Sequence, residues 1–333
     1  MNSLNDTGVV LIGRNEGERF KRALQAALRE TSRVCYVDSG STDDSVAFAE
    51  GLGVAVVELD LSTPFTAARS RNAGFKQLRY EWPEVEYVQF VDGDAELESG
   101  WLTKARDCLV NDDTLAAAFG QRKERFPERS PYNLICDIEW NTPVGEALAC
   151  GGDSMFRVKA FEAVKGFNPG LIAGEEPELC VRLRAAGWRL MRMPGVMTHH
   201  DADMHTFSAW FKRMRRAGHA YAEGATMHGK PPERHFVRPT LQALFWGIAV
   251  PVFVILLLPF IGAWALLLGL AGYGVSLWRS YQHTQGTGRD ARSARIYAAS
   301  CVGGKFPQVI GVLEYGLNRL RGKRTSLIEY KKA

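Results

Sequence analysis

The first hundred residues alternate between short apolar runs and amphipathic stretches. Gly8 to Ile12 (GVVLI) is continuously apolar, the pattern of a strand buried on both faces of a parallel sheet. Gly13-Arg14-Asn15-Glu16-Gly17 interrupts it, and Phe20, Leu24, Ala27 and Leu28 then recur at helical spacing. The cycle repeats with a strand over Arg33 to Val37, a polar loop Asp38 to Asp43, a helix over Ser45 to Gly51 and a strand over Val54 to Leu59. Phe65 to Gly74 leads into another helix, and Tyr87 to Leu97 is a strand that ends in Asp92-Gly93-Asp94. Such alternation predicts an α/β fold, a mixed and mainly parallel sheet with helices on both faces. Further on, periodicity fades between Gln121 and Trp140, and a mixed loop and helix region is expected there. A helix carrying Val181, Leu183 and Ala186 ends at Gly187, and Leu190 to Val196 reads as an edge strand. Phe207, Trp210, Phe211 and Met214 form an apolar stripe interleaved with Arg213, Arg215, Arg216 and His219, which suits an amphipathic helix at a membrane surface.

Pro239 to Trp278 then runs for 40 residues without Asp, Glu, Lys, Arg or His. As one helix it would be roughly 60 Å long, twice the hydrocarbon core of a bilayer. Two helices broken near Pro259 to Gly262 fit better, with spans over about 241–258 and 262–278. Arg234 and Arg238 precede the run and Arg279, Arg289, Arg292 and Arg295 follow it, so both ends favour the cytosolic side. The expected organisation is a catalytic-type domain over 1–232, a transmembrane hairpin over 233–295 and a basic C-terminal segment over 296–333. Within that segment Ile296 to Leu320 reads as interfacial or re-entrant, and the cations from Arg319 to Lys332 suit anionic headgroups or simply solvent.

Composition changes this picture little. A net charge of +4 excludes a polyanion binder on overall charge, so no nucleic-acid partner is expected. The six cysteines show neither C-x-x-C nor zinc-like spacing and read as buried thiols of a reducing compartment. The N-terminal stretch lacks a basic start followed by an apolar core, so no secretory signal is expected.

The candidate chemistry lies at strand ends. Asp92 and Asp94 stand at the carboxyl end of a strand, where open α/β sheets bind ligands. Paired carboxylates there can hold Mg²⁺ on a diphosphate, although Asp-Gly-Asp is also an ordinary turn. Asp38 ends the second strand on the same edge, where it can accept hydrogen bonds from a nucleobase or ribose. Arg69 and Arg71 could meet a diphosphate or a base, or serve solubility alone. Gly151 and Gly152 let backbone approach a ligand, or make a plain turn. Glu175, Glu176 and Glu178 surround Pro177 at a helix start; the helix dipole accounts for one acid of the three, with Glu178 the natural partner. His199 and His200 follow the edge strand, and either a structural role or metal ligation, with His200 favoured, is open.

Four of these motifs occur in register: R-N-E from Arg14, VDSGSTD from Val37, ARSRNAG from Ala68 and FVDGDA from Phe90. Together they resemble the nucleotide-binding half of the family 2 glycosyltransferases of GT-A fold, in the membrane-anchored bacterial form. The resemblance implies a nucleotide-sugar donor held by Arg14, Asn15, Asp38, Arg71, Asp92 and Gly152, with Asp94, Asp92 and His200 on Mg²⁺ or Mn²⁺. It implies Glu176 as the base of an inverting transfer, with Glu175 next in line, where the family more often has Asp. Arg213 or Arg216 would reach the departing diphosphate, although the Q-x-x-R-W motif of processive synthases is missing. Ser39 stands where the family often has a second aspartate. The expected acceptor is lipid-linked, a growing saccharide or a polyprenyl monophosphate, at the cytosolic face of the inner membrane. The rivals are a non-catalytic membrane scaffold of the same fold and a nucleotidyltransferase, whose Gly-rich phosphate loop is missing near residue 13.

Overall fold

A computed structural model describes residues 4–323. Arg324, Lys331 and Lys332 of the basic tail lie outside the described residues. The chain divides into two units, residues 4–126 with 139–203, and residues 127–138 with 204–323.

The first unit is built on strands and helices in alternation: β1 (Thr7–Gly13), α1 (Glu18–Glu30), β2 (Val34–Asp38), α2 (Ser45–Gly51), β3 (Ala55–Glu58), α3 (Ala67–Glu81) and β4 (Tyr87–Asp92). After a two-residue turn come β5 (Ala95–Leu97), α4 (Trp101–Asn111), β6 (Leu115–Glu124), α5 (Pro131–Trp140), which counts up to Ile138 with the second unit, β7 (Gly145–Glu146), β8 (Ser154–Arg157), α6 (Val158–Ala163), α7 (Glu175–Ala185) and β9 (Arg189–His200). Strands β3, β2, β1 and β4 are parallel neighbours, as the apolar runs predicted. β8 then pairs antiparallel with β4 and β6, and β6 runs parallel to β9. Continuous runs such as Val9-Val10-Leu11 are wholly buried because helices cover both faces.

Two expectations change. β9 is no edge strand: it pairs with β6 on one side and with β7 and β5 on the other, and it extends through His200. The region of faded periodicity contains the end of β6, which reaches Glu124, and all of α5. The six cysteines are free; Cys35, Cys136, Cys150 and Cys180 are buried as expected, whereas Cys108 and Cys301 are partly exposed against that expectation.

The second unit is helical. α8 (Phe207–His228) is capped by Thr206, whose hydroxyl accepts from Ala209 N at 3.2 Å. α9 (Val237–Leu244), a π turn (Phe245–Ala249) and α10 (Val250–Ile261) form one continuous helix. Gly262, at φ 57°, turns the chain into α11 (Trp264–Gly286); Pro259 stays inside α10 and the break falls at the glycine. α12 (Ala291–Gly303) and α13 (Lys305–Leu320) follow.

Among the described residues, two helical stretches are long and apolar enough to cross a membrane: Val237–Ile261, whose most apolar 18-residue window has mean hydropathy 2.6 and no buried residue, and Ala291–Leu320, whose corresponding window has mean hydropathy 1.2 and is 44% buried. The stripe on α8 is corrected. Trp210 and Met214 do not face a membrane but are buried, with Trp210 Nε1 donating to Ser300 Oγ at 3.0 Å and Met214 packed near Gly304. α12 and α13 cover that face, and Phe207 alone stays 60% exposed. For the same reason α8, expected within the first domain, groups with the helical unit.

Candidate active site

β4 carries Asp92 to the sheet's carboxyl edge, and the turn through Gly93 brings Asp94 beside the end of β9. There Ala95 registers with His200, and Asp201 N donates to the Asp94 carbonyl at 3.1 Å. Asp94 Oδ1 lies 3.2 Å from His200 Nε2, and both side chains are buried. One ligand atom from each of Asp92, Asp94 and His200 falls within a 4.8 Å cluster. Two carboxylates and an imidazole form a donor set that fits Mn²⁺ or Mg²⁺. The imidazole also packs on the Trp140 ring at 4.6 Å, which fixes its plane. His199 faces the other way, 2.8 Å from Glu98.

Arg71 joins this cluster to the acids of α7. Its guanidinium is buried, 2.8 Å from Asp92 Oδ1 and 3.0 Å from both Glu175 Oε1 and Glu176 Oε1. Burial alone would favour loss of its proton, but Asp92, Glu176 and Glu175 outweigh that and raise its pKa. Glu176 moves the opposite way from an ordinary carboxylate paired to arginine. Burial and then the charge of Glu175 push it up to about 7, although Arg71 pulls it down. The helix begins at Glu175, so all three acids sit in its first turn. Glu178 is bound bidentately by Arg182, at 2.9 and 2.8 Å, and so takes the structural role.

Gly152 makes the approach possible. A Cβ there would lie 2.3 Å from Arg71 Nη2, 3.0 Å from Glu176 Oε1 and 3.1 Å from Asp92 Oδ2, so any other residue would push the cluster apart. Asp38 is 2% exposed and already engaged: Tyr36 donates to Oδ1 at 2.7 Å, and Gly40 N and Ser41 N donate to Oδ2 at 2.8 Å. It shapes the β2 loop as well as edging the site. Asn15, at φ 52°, stitches the β1 loop to the same segment: its Oδ1 accepts from Thr42 N at 2.7 Å and its N donates to Ser41 Oγ at 2.9 Å. Arg14 beside it is exposed. Arg213 and Arg216 lie on α8, in the helical unit.

Three residues join the site unforeseen. Asp153 is fully buried and accepts from Asp92 N at 2.9 Å and from Thr198 Oγ1 at 2.9 Å, tying β4 to β9 just before their metal-facing residues. Burial and the charge of Asp92 raise its pKa to about 6, against Arg122. Arg122 lies over the Trp140 ring at 5.0 Å and would touch a Cβ at Gly151 at 2.9 Å. A carboxylate directly after paired glycines and ahead of the apolar Met155-Phe156 was the available signal for Asp153; Arg122 and Trp140 lay where periodicity faded.

Comparison with known proteins places this geometry in a class. Residues 9–164 match the family model described as glycosyl transferase family 2. Over those residues the chain carries a domain similar to that family; it is a glycosyltransferase with a GT-A-like fold. No curated protein matches it in sequence. Among solved structures it is similar to mannosyltransferase PcManGT from Pyrobaculum calidifontis in complex with GDP-Man and Mn²⁺, with TM-score 0.58 and 16% identity over 94% of this chain and 88% of that one. It is also similar to S. aureus TarS 1–349, with TM-score 0.52 and 13% identity over 93% of this chain and 92% of that one. At such identities the likeness is one of fold.

Proposed function

We propose that this enzyme transfers a single sugar from a nucleotide-sugar to a lipid-linked saccharide at a membrane, with inversion of the anomeric carbon. The observation that carries the reading is Arg71, which holds Asp92 of the metal-type cluster and Glu176 of the acid pair in one cleft, 2.8 and 3.0 Å from its guanidinium. The first solved relative above was bound to GDP-Man and Mn²⁺, which favours a nucleotide-sugar and a divalent cation here too. Asp92, Asp94 and His200 would hold that cation, which when bound offsets the charge of the leaving diphosphate as a Lewis acid.

Glu176 supplies the base. In its ionised form it accepts the proton of the acceptor hydroxyl while that oxygen attacks the anomeric carbon from the face opposite the nucleotide. The C–O bond to the diphosphate breaks as the new glycosidic bond forms, and direct displacement inverts the centre. Arg71 holds the acid beside Asp92, and the bare backbone of Gly152 lets these three side chains converge. Asp153 fixes β4 against β9 and so fixes the spacing of the metal-facing side chains.

The apolar helix Val237–Ile261, whose most apolar window is unburied, supports a membrane-bound enzyme, and confinement to a membrane suits an acceptor confined there too. We place the catalytic domain at the cytosolic face of the inner membrane, where nucleotide-sugars are made. The test is to incubate the purified chain with a panel of nucleotide-sugars and Mn²⁺, measure released nucleoside diphosphate with and without lipid-linked saccharide, and assign the product anomer by NMR. Acceptor-dependent release with an inverted product is expected; a retained anomer would remove direct displacement.

A further inference from the structure

The start of the long apolar helix bears a groove that the sugar transfer does not use. It is lined by Arg234, Val237, Arg238, Leu241, Gln242 and Phe245 and has a volume of about 510 Å³. Both arginines are exposed, as are Leu241 and Phe245 at 59% and 52%, so cations occupy one end and apolar side chains the other. The turn leading into α9 holds the arginines outward. His235 N donates to the His228 carbonyl at 3.1 Å, the Phe236 ring stacks edge-on at 5.1 Å from Tyr221, and Gly224 of α8 leaves no room for a Cβ beneath Phe236.

We infer that this groove binds one anionic phospholipid, its phosphodiester between Arg234 and Arg238 and its upper acyl chain along Leu241 and Phe245. The inference rests on the membrane-bound reading above. A guanidinium pair matches phosphate oxygens with forked, charge-assisted hydrogen bonds, which a zwitterionic headgroup would weaken by bringing its own cation alongside. A free phosphate would satisfy the arginines but leave the apolar end in water, and that end is what selects a lipid. Gln242, between the two ends, offers an amide to a headgroup hydroxyl or ester.

The experiment uses the full chain in neutral detergent micelles doped with fluorescent phosphatidylglycerol or phosphatidylcholine. Preferential binding of phosphatidylglycerol is expected, and the double variant R234Q/R238Q should weaken it about twenty-five-fold, about fivefold for each cation near an anionic surface. R234K/R238K should retain most of the preference, which guards against a folding defect. R279Q/R292Q, exposed cations outside the groove, should leave the affinity unchanged. Equal weakening by R279Q/R292Q, or equal binding of phosphatidylcholine, would overturn the site in favour of a diffuse charge effect. Glycerol 3-phosphate competing as well as the lipid would overturn it in favour of a soluble phosphate ligand. Failure of the chain to float with vesicles of either lipid would sink the membrane reading itself, while donor cleavage, measured separately, reports on the transferase reading.

Discussion

Glu175 and Glu176 are neighbours that touch the same guanidinium, yet their surroundings give them different work. The Glu175 side chain is 6% exposed, whereas that of Glu176 is 16% exposed and its Oε1 would lie 3.0 Å from a Cβ at Gly152. A general base contributes about 10² to 10⁴ in rate, so Glu176→Gln should lower turnover by that order and leave donor affinity nearly unchanged. The sign of the pH dependence follows from its raised pKa of about 7. Below that value the acid is protonated and cannot accept the hydroxyl proton, so kcat/KM should climb with pH and level off above about 7. A profile already flat at pH 6 would mean another group is the base. Asp94 makes a separate prediction: with His200 at 3.2 Å and Asp92 in the same cluster, Asp94→Asn should weaken nucleoside diphosphate binding in Mn²⁺. Calorimetry should show no such difference in chelator; equal loss there would remove the ligand role. Single residues at strand ends were legible because a carboxylate that stops an apolar run has few structural excuses. Asp153 and Arg71 show the limit: both stand out locally, one after paired glycines and one within ARSRNAG, but the tie between β4 and β9 and the buried bridge between residues 92 and 176 depend on distant partners that local sequence does not name.

The helix pair α8 and α13 teaches a different lesson about elements. Glycines allow their backbones to come very close: a Cβ at Gly218 would lie 1.9 Å from the Gln308 carbonyl oxygen, and one at Gly311 would lie 2.0 Å from that of Arg215. Arg215 clamps the same interface by donating from Nε to Glu314 Oε2 at 2.7 Å. Since overpacking usually costs about 1 to 3 kcal/mol, Gly311→Ala should destabilise the helical unit by at least that much. Denaturation in detergent, followed by circular dichroism, is the measurement. Gly316 is the control: nothing lies within 4 Å of a Cβ there, so Gly316→Ala should be neutral or stabilising by up to about 1 kcal/mol. Equal loss from both would mean that helix propensity, not close packing, governs the pair. The apolar stripe of α8 was legible as a stripe, but its partner was not. A bilayer and a neighbouring helix ask for the same side chains, and α13 lies almost a hundred residues further along the chain.

At the scale of the whole chain, the parallel half of the sheet could be read because each apolar run and its helix form a local unit. The insertion of β9 between β6 and the β5–β7 side could not, because its pairing partners are distant and its burial mixes exposed with buried positions. The membrane hairpin falls between these cases. Its length and lack of charge were plain, and the chain turns at Gly262, but the candidate spans among the described residues differ from the expected pair: Val237–Ile261 is one, the other is Ala291–Leu320, read from sequence as interfacial or re-entrant, and α11 is not among them. What the sequence hinted at through flanking arginines, the helical unit supports by contact. The chain enters from α8, to which the His235–Phe236 turn is docked, and after α11 it returns to the same unit, where Arg289 pairs with Asp137 at 2.6 Å. We propose that the stretch between these two points crosses an even number of times, so reporters inserted after Lys230 and after Arg289 should both be accessible from the cytosol. Because Arg289→Ala removes the pair with Asp137 without touching the hairpin, that variant should keep the same topology. Reporters on opposite faces would leave a single crossing, and α11 would then have to lie in the interface, where its exposed Leu266, Leu267 and Leu270 would need another cover.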